Sequence, residues 1–208
     1  MTEYFEYGFK DEKPSHAHNY LLPTLKKILC ENNSKNIIDI GCGNGSLAIE
    51  LINDGYNVFG IDASENGIKL AKKTFPDRFY LQNIYSKKLP DEIEDIKFDT
   101  VISTEVIEHL YDPKGYIDFC KNILLRNGGG VIIISTPYHG YLKNLLIALS
   151  NKWDTHHTVL WDGGHIKFWS KKTLTKLLFD NEFINIKFYG CGRFPYLWKS
   201  MILTGELK

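Results

Sequence analysis

The segment Asp39-Ile-Gly41-Cys-Gly43-Asn-Gly45-Ser46 constrains this chain more than any other. It follows Asn36–Ile40, a short β-branched run suited to a buried parallel strand. It precedes Ser46–Asn53, where Leu47, Leu51 and Ile52 take up helical spacing until Gly55 ends it. A glycine turn joining such a strand to such a helix is where a doubly wound sheet binds nucleotides. Gly41 and Gly43 permit a tight turn and close approach of a ligand to the backbone. The next strand, Asn57–Asp62, ends in an acid 21 residues after Gly41. A carboxylate there can accept hydrogen bonds from both ribose hydroxyls of an adenosine. A glycine-rich loop alone can exist without a ligand; the loop and the strand-end acid together point to an adenosine cofactor.

The rest of the chain keeps the same rhythm. Helices are expected at 20–30, 63–74 (stopped by Pro76) and 116–125, and strands at 78–82, 98–103 and 131–135. Strands alternating with helices in units of about 30 residues imply right-handed crossovers and a parallel sheet covered on both faces. Beyond Pro137 the alternation breaks. A helix at 141–150, a His- and Trp-rich stretch at 153–169 and a helix at 171–181 precede strands at 184–189 and near 200–204. The expected division of a single domain is a helical cap (1–35), a cofactor-binding core (36–135), a substrate-side insertion or lid (136–170) and a C-terminal helix with strands (171–208).

Charge and cysteine usage limit the partners. The 25 basic and 25 acidic side chains balance, which argues against a chain held to nucleic acid mainly by phosphate contacts. The four cysteines have no CxxC spacing, the N-terminus has neither a basic nor an apolar leader region, and no apolar run approaches the roughly 20 residues of a membrane span. These features lead us to expect a cytoplasmic protein in a reducing compartment, without stable membrane insertion.

The cofactor can be narrowed by charge. Dinucleotide sites place glycine or alanine at the third position of the fingerprint, where this chain has Ser46. Asp39, immediately before the turn, would be poorly placed beside a pyrophosphate. It suits a ligand carrying an ammonium group, such as the methionyl part of S-adenosylmethionine, whose carboxylate can face the N–H groups opening the helix. The ordered motifs "DIGCGNG", "GIDAS", "FDTVISTEVIEHLYDP" and "GGGVIIISTP" resemble those of class I S-adenosylmethionine-dependent methyltransferases, closest to the branch of ubiquinone-biosynthesis O-methyltransferases. "GGHIKFWSKKTLTKLL" extends the likeness to about residue 182. The resemblance implies an α/β Rossmann-like doubly wound sheet of seven strands, the last antiparallel, with helices on both faces. It also implies that Asp39, Gly41, Cys42 and Gly43 border the methionyl group and Asp62 with Ala63 the ribose. Where the family usually has an acid to read the adenine amino group, this chain has Asn83, whose amide oxygen could accept the same bond beside Ile84.

Thr104, after the fourth strand, is expected to contact the cofactor, and a methyl acceptor would sit at the carboxyl ends of the fourth and fifth strands. A hydroxyl or phenol nucleophile needs a base or metal to remove its proton. Glu105, Glu108 and His109 follow at i, i+3 and i+4, a spacing compatible on a helical turn with a divalent cation or with a base and its orienting partner. The alternative is a short helix at 104–110 that packs Val106, Ile107 and Leu110 and leaves its polar residues solvated. The insertion adds His156, His157, Asp162 and His165 among tryptophans. Of these, His165 is the expected base or positioning residue, because Gly163-Gly164 permits a close turn; a zinc site from the four lacks paired cysteines. The leucine stripe of 141–150 (Leu142, Leu145, Leu146, Leu149) reads as core or lid, with a membrane anchor as the alternative. The aromatic N-terminal segment (Tyr4, Phe5, Tyr7, Phe9) could close over the cofactor or simply pack. The expected activity is O-methylation of a small molecule. N-methylation of an amine or amino sugar, a non-catalytic cofactor-binding protein and hydride transfer from a nicotinamide cofactor stay open.

Overall fold

The structure, a computed structural model, describes residues 8–9, 11–14, 16–157, 160–161 and 163–208. Tyr4, Phe5, Tyr7 and Asp162 lie outside them. The elements in order are α1 (His18–Glu31), β1 (Asn36–Ile40), α2 (Ser46–Asn53), β2 (Asn57–Asp62), α3 (Glu65–Ala71), β3 (Phe79–Leu81), β4 (Thr100–Thr104), α4 (Pro113–Leu125), β5 (Gly130–Pro137), α5 (Tyr141–Leu149), α6 (Trp153–His157), α7 (Lys171–Asp180), β6 (Ile184–Cys191) and β7 (Ser200–Leu207). Single 3-10 turns sit at Ile84–Ser86, Asp91–Ile93 and Ile107–His109.

The seven strands form one sheet in the order β3-β2-β1-β4-β5-β7-β6. β7 is the antiparallel strand, inserted between β5 and β6. This is the doubly wound, seven-stranded sheet that the motifs imply. β7 runs to Leu207, past the stretch expected near 200–204, and pairs with β5 from Gly130↔Leu207 to Pro137↔Ser200. Thr204, Gly205 and Glu206 interrupt its apolar pattern, but hydrogen-bond ladders on both sides hold it extended.

Helix limits follow local capping. α3 is shorter than the 63–74 expected, because the Ser64 hydroxyl accepts the Gly67 N–H (2.9 Å) and sets the start. α4 begins three residues before the 116 expected: Asp112 accepts the Gly115 N–H at 2.9 Å, and Pro113 occupies the first turn.

Alternation along the central strands divides the core into two layers. Ile38, Val101, Ile132, Ile134 and Leu203 pack with α4 and α7; Ile37, Ile102, Ile133 and Ile202 pack with α1, α2 and α3. Strand order reverses between β1 and β4, so the crevice beyond their carboxyl ends is the place where such a sheet holds a ligand.

The leucine stripe expected in the core or a lid is not buried in the core. Leu142, Leu145, Leu146 and Leu149 of α5 are all exposed, whereas Lys143 is the buried residue of the helix. Periodicity identified the apolar stripe but not which side of the helix faces the protein.

Candidate active site

The glycine loop is fixed from three directions. Gly41 and Cys42 donate their N–H groups to the Ile61 carbonyl of β2 (2.8 and 3.1 Å). Asp62 accepts from the Gly43 N–H through one carboxylate oxygen and from the Ser64 N–H through the other, both at 2.7 Å. Both oxygens of the acid expected to accept the ribose hydroxyls thus already hold backbone N–H groups of the loop and of the residue opening α3. The N-terminal segment lies on the other side. Asn44 donates to the carbonyls of Asp11 and Lys13 (3.0 and 2.9 Å), His18 Nδ1 pairs with the Ser46 hydroxyl (3.0 Å), and the Phe9 ring covers Gly43.

Gly41 has φ +82°, and a Cβ there would sit 2.4 Å from a Val106 methyl, so the turn after β4 presses directly on the loop. Gly41→Ala is therefore expected to destabilise the protein by about 2–4 kcal/mol, combining left-handed backbone strain with overpacking. Urea unfolding checks this, and an unchanged midpoint contradicts it.

Asp39 is 1% exposed, and its Oδ1 has no hydrogen-bond partner. Burial, reinforced by the charge of Asp62, pushes its carboxyl up to about 7. A buried, unsatisfied carboxylate is costly unless a cation meets it. The Cys42 side chain is buried towards Gly60, which leaves the backbone of Cys42 as its contribution to the loop. Ala63 is half-buried beside Asp62. Asn83 is exposed and its side-chain oxygen caps the following 3-10 turn by accepting the Tyr85 N–H at 2.9 Å, with one lone pair left; Ile84 packs on the core.

The turn after Thr104 is not the helix on which Glu105, Glu108 and His109 would share a face. Glu105 takes a left-handed conformation (φ +55°), and the 3-10 turn begins only at Ile107. The Ser135 hydroxyl donates to Glu105 Oε1 (2.8 Å) and the Ser200 hydroxyl to Oε2 (3.1 Å). Glu105 is thus directed towards β5 and β7, away from the other two residues. Burial raises its carboxyl above the usual range despite those two donors.

His165 takes the place expected for Glu105 in the cluster. The strap 164–169 is fastened to the turn by backbone bonds, with Ile166 and Lys167 N–H both donating to the Glu108 carbonyl at 2.9 Å. The Trp169 indole adds a donor to the Ile107 carbonyl (3.3 Å). Ligand atoms of Glu108, His109 and His165 consequently lie within 4.8 Å of one another. Both carboxylate oxygens of Glu108 are buried without a hydrogen-bond partner, and burial, then the Glu105 charge, pushes its carboxyl well up. His109 Nδ1 faces the Gly164 carbonyl at 3.2 Å, so Nδ1 carries the proton and Nε2 is left with a free lone pair. Burial lowers His109, and lowers His165 to about 4, which keeps both imidazoles neutral.

A cavity of about 610 Å³ opens beside this cluster. Glu105, His139, Lys143, His156, His165 and Arg193 are among the residues lining it. Its polar groups on α5, β7 and the segment before β7 were missed from the sequence. Their one signal was Lys143, beside Asn144, in a helix of otherwise mostly apolar residues.

Known proteins share this arrangement at the level of family and fold. Residues 8–187 match the profile of the family described as "Methyltransferase domain". The ubiquinone biosynthesis O-methyltransferase of Bradyrhizobium diazoefficiens is 31% identical over 154 residues, covering 71% of this chain and 58% of that protein. The mitochondrial ubiquinone biosynthesis O-methyltransferase of Dictyostelium discoideum is 36% identical over 146 residues, covering 61% of this chain and 44% of its own length. This chain therefore spans about half the length of these relatives. Among solved structures, the magnesium protoporphyrin IX methyltransferase of Synechocystis with bound SAH superposes with a TM-score of 0.68 at 20% identity, over 97% of this chain and 91% of that one. The methyltransferase domain of a bacterial Hen1 gives 0.63 at 20% identity, over 89% and 96%. The chain belongs to the methyltransferase-domain family, the class I S-adenosylmethionine-dependent group that its motifs resemble.

Proposed function

We propose that this protein transfers the methyl group of S-adenosylmethionine to a hydroxyl or phenol oxygen of a small molecule. The buried, unpartnered carboxylate of Glu108 beside two neutral imidazoles carries this reading. An amine needs only a neutral lone pair to attack, whereas a hydroxyl must lose a proton. The cluster supplies what the second case requires and the first does not.

The cofactor fits the glycine loop by charge and shape. Asp39 offers an uncompensated carboxylate to the ammonium, and Asp62, Ala63 and Asn83 edge the side where ribose and adenine would lie. Gly41, Cys42 and Gly43 form the turn that would border the methionyl group, their N–H groups held by the Ile61 carbonyl and the Asp62 carboxylate, and Thr104 ends β4. Phe9, residues 11–14 and His18 would then shield the cofactor from water.

Glu108, His109 and His165 also fit a divalent cation, since one carboxylate and two imidazoles suit zinc, iron or manganese. A cation held there supplies Lewis-acid polarisation, lowering the pKa of an acceptor hydroxyl so that it ionises near neutral pH. The chain's own residues do the remainder. Gly164 fixes the His109 tautomer, Ser135 and Ser200 hold Glu105 in place, and His165 faces the cavity where the acceptor proton must leave.

Removing divalent cations with a chelator is expected to cut turnover at least about 100-fold, with recovery on adding them back, because several kcal/mol of charge stabilisation would go. Undiminished turnover in metal-free buffer assigns the proton to His165 as an unaided base. His165→Ala should then lose the same activity while cofactor binding stays intact.

The unpaired thiols of Cys30, Cys42, Cys120 and Cys191 support placement in a reducing, cytoplasmic compartment. Among the described residues no helix is long and apolar enough to cross a membrane.

A further inference from the structure

The acceptor cavity has the opposite charge to the cofactor loop. Lys143, Lys152, Arg193 and Lys199 all line it, and among the described residues Glu105 is the one acid that does. None of the four cations makes an ion pair with an acid among the described residues. Burial, then the Lys143 charge, lowers His139 to about 4, so that this histidine adds no positive charge to the wall.

Lys143 is the most informative of these groups. It is 8% exposed on a helix whose leucines are at least 39% exposed. Its Nζ donates to the carbonyls of Tyr138 (2.8 Å) and Lys199 (3.3 Å), so its hydrogen bonds are largely met while its charge is not. Burial, and then the neighbouring Arg193 charge, lowers it to about 8, with Glu105 offsetting only part of this. Any of the four exposed leucines in its place would fold at less cost, since burying a charge without a counter-ion is unfavourable. The arrangement is complete once an anion is added. Lys199, whose Nζ also contacts His16 at 2.8 Å, and Arg193, on an exposed loop, stand at the same cavity and leave room for it.

We propose that the methyl acceptor carries an oxyanion group, carboxylate or phosphate, held by Lys143, Arg193 and Lys199 at the lid side of the cavity. This rests on the methyl-transfer reading above and adds the substrate's charge class to it. A cationic amine is disfavoured in the same pocket. The chain's zero net charge then divides into an acidic wall for a cationic cofactor and a basic wall for an anionic acceptor.

The test is a calorimetric titration of the full chain, saturated with S-adenosylhomocysteine, with inorganic phosphate, with benzoate and with neutral benzamide. Phosphate or benzoate is expected to bind below about 1 mM, and benzamide at least about tenfold more weakly than benzoate. Lys143→Met should weaken the anion at least about tenfold and Arg193→Gln about fivefold, with S-adenosylhomocysteine affinity unchanged. Arg193 is exposed, so its variant stays informative if Lys143→Met misfolds. Phosphate tighter than benzoate assigns a phosphoester; the reverse assigns a carboxylate. The proposal is overturned if neither anion binds, if benzamide binds as tightly as benzoate, or if the folded variants bind the anion like the wild type. Failure of S-adenosylhomocysteine to bind the wild type would instead overturn the methyl-transfer reading, and the anion titration repeated without it would still report on the cavity.

Discussion

Asp39→Asn is expected to weaken S-adenosylmethionine binding by about 100-fold, about 2.7 kcal/mol, while making the ligand-free protein more stable at pH 8. The two effects have one cause. In the folded chain the Asp39 carboxyl titrates near 7, against 3.8 when unperturbed, because it is buried and Asp62 is negative. The native state therefore holds its proton more tightly than the unfolded chain does. Below about pH 4 both states are protonated and Asp39 costs nothing. As pH rises from about 4 to 7 the unfolded chain ionises freely and the native one does not, so stability falls through that window and levels off above it. Asparagine removes the charge and should recover on the order of 2 kcal/mol at pH 8, less than the full shift because its amide must also find partners. With cofactor present the sign reverses, since the ammonium needs the ionised form. Wild-type affinity should weaken as pH drops below about 7, approaching tenfold per pH unit, and Asp39→Asn should lose that dependence. Thermal melts with and without cofactor at pH 5 and pH 8 measure all of this. Equal cofactor affinity in the two proteins would separate Asp39 from the ligand.

Glu108→Gln should reduce turnover about 1000-fold, about 4 kcal/mol of transition-state stabilisation, with cofactor affinity within about twofold of the wild type. The carboxylate lies in the turn joining β4 to α4, buried and without an ion-pair partner among the described residues. The variant should fold at least as well, because it exchanges a buried unpaired acid for a neutral amide of nearly the same shape. That combination distinguishes a functional acid from a structural one. A structural role predicts lost stability with activity falling only in proportion to the folded fraction. Single-turnover rates beside urea titrations of the same preparations tell them apart.

Much of the cofactor half could be read directly from the residues because its determinants are local. The β-branched run to Ile40, the glycine turn and the acid ending β2 sit within about 25 residues of one another, and each has a backbone reason for its type. Sheet alternation likewise follows from apolar spacing, and β7 escaped full detection only because Gly205 and Glu206 break its pattern. The acceptor half was less legible because it is assembled over distance. His165 reaches Glu108 and His109 through a strap more than 50 residues away, fastened by main-chain bonds that no side-chain pattern encodes. Glu105 was expected to share a helical face with them, yet its positive φ directs it to Ser135 and Ser200. The lid helix misled for a related reason: amphipathic spacing marks two faces, and here the face turned inward is the one with Lys143.

The most direct measurement of the central claim is transfer of a labelled methyl group from S-adenosylmethionine to matched catechol and amine acceptors, by wild type and by Glu108→Gln. The predicted result is label on an acceptor oxygen with the wild type, none above background with Glu108→Gln, and cofactor bound by both. Label on amine nitrogen alone, undiminished by Glu108→Gln, or bound cofactor with no transfer to any acceptor, would contradict it.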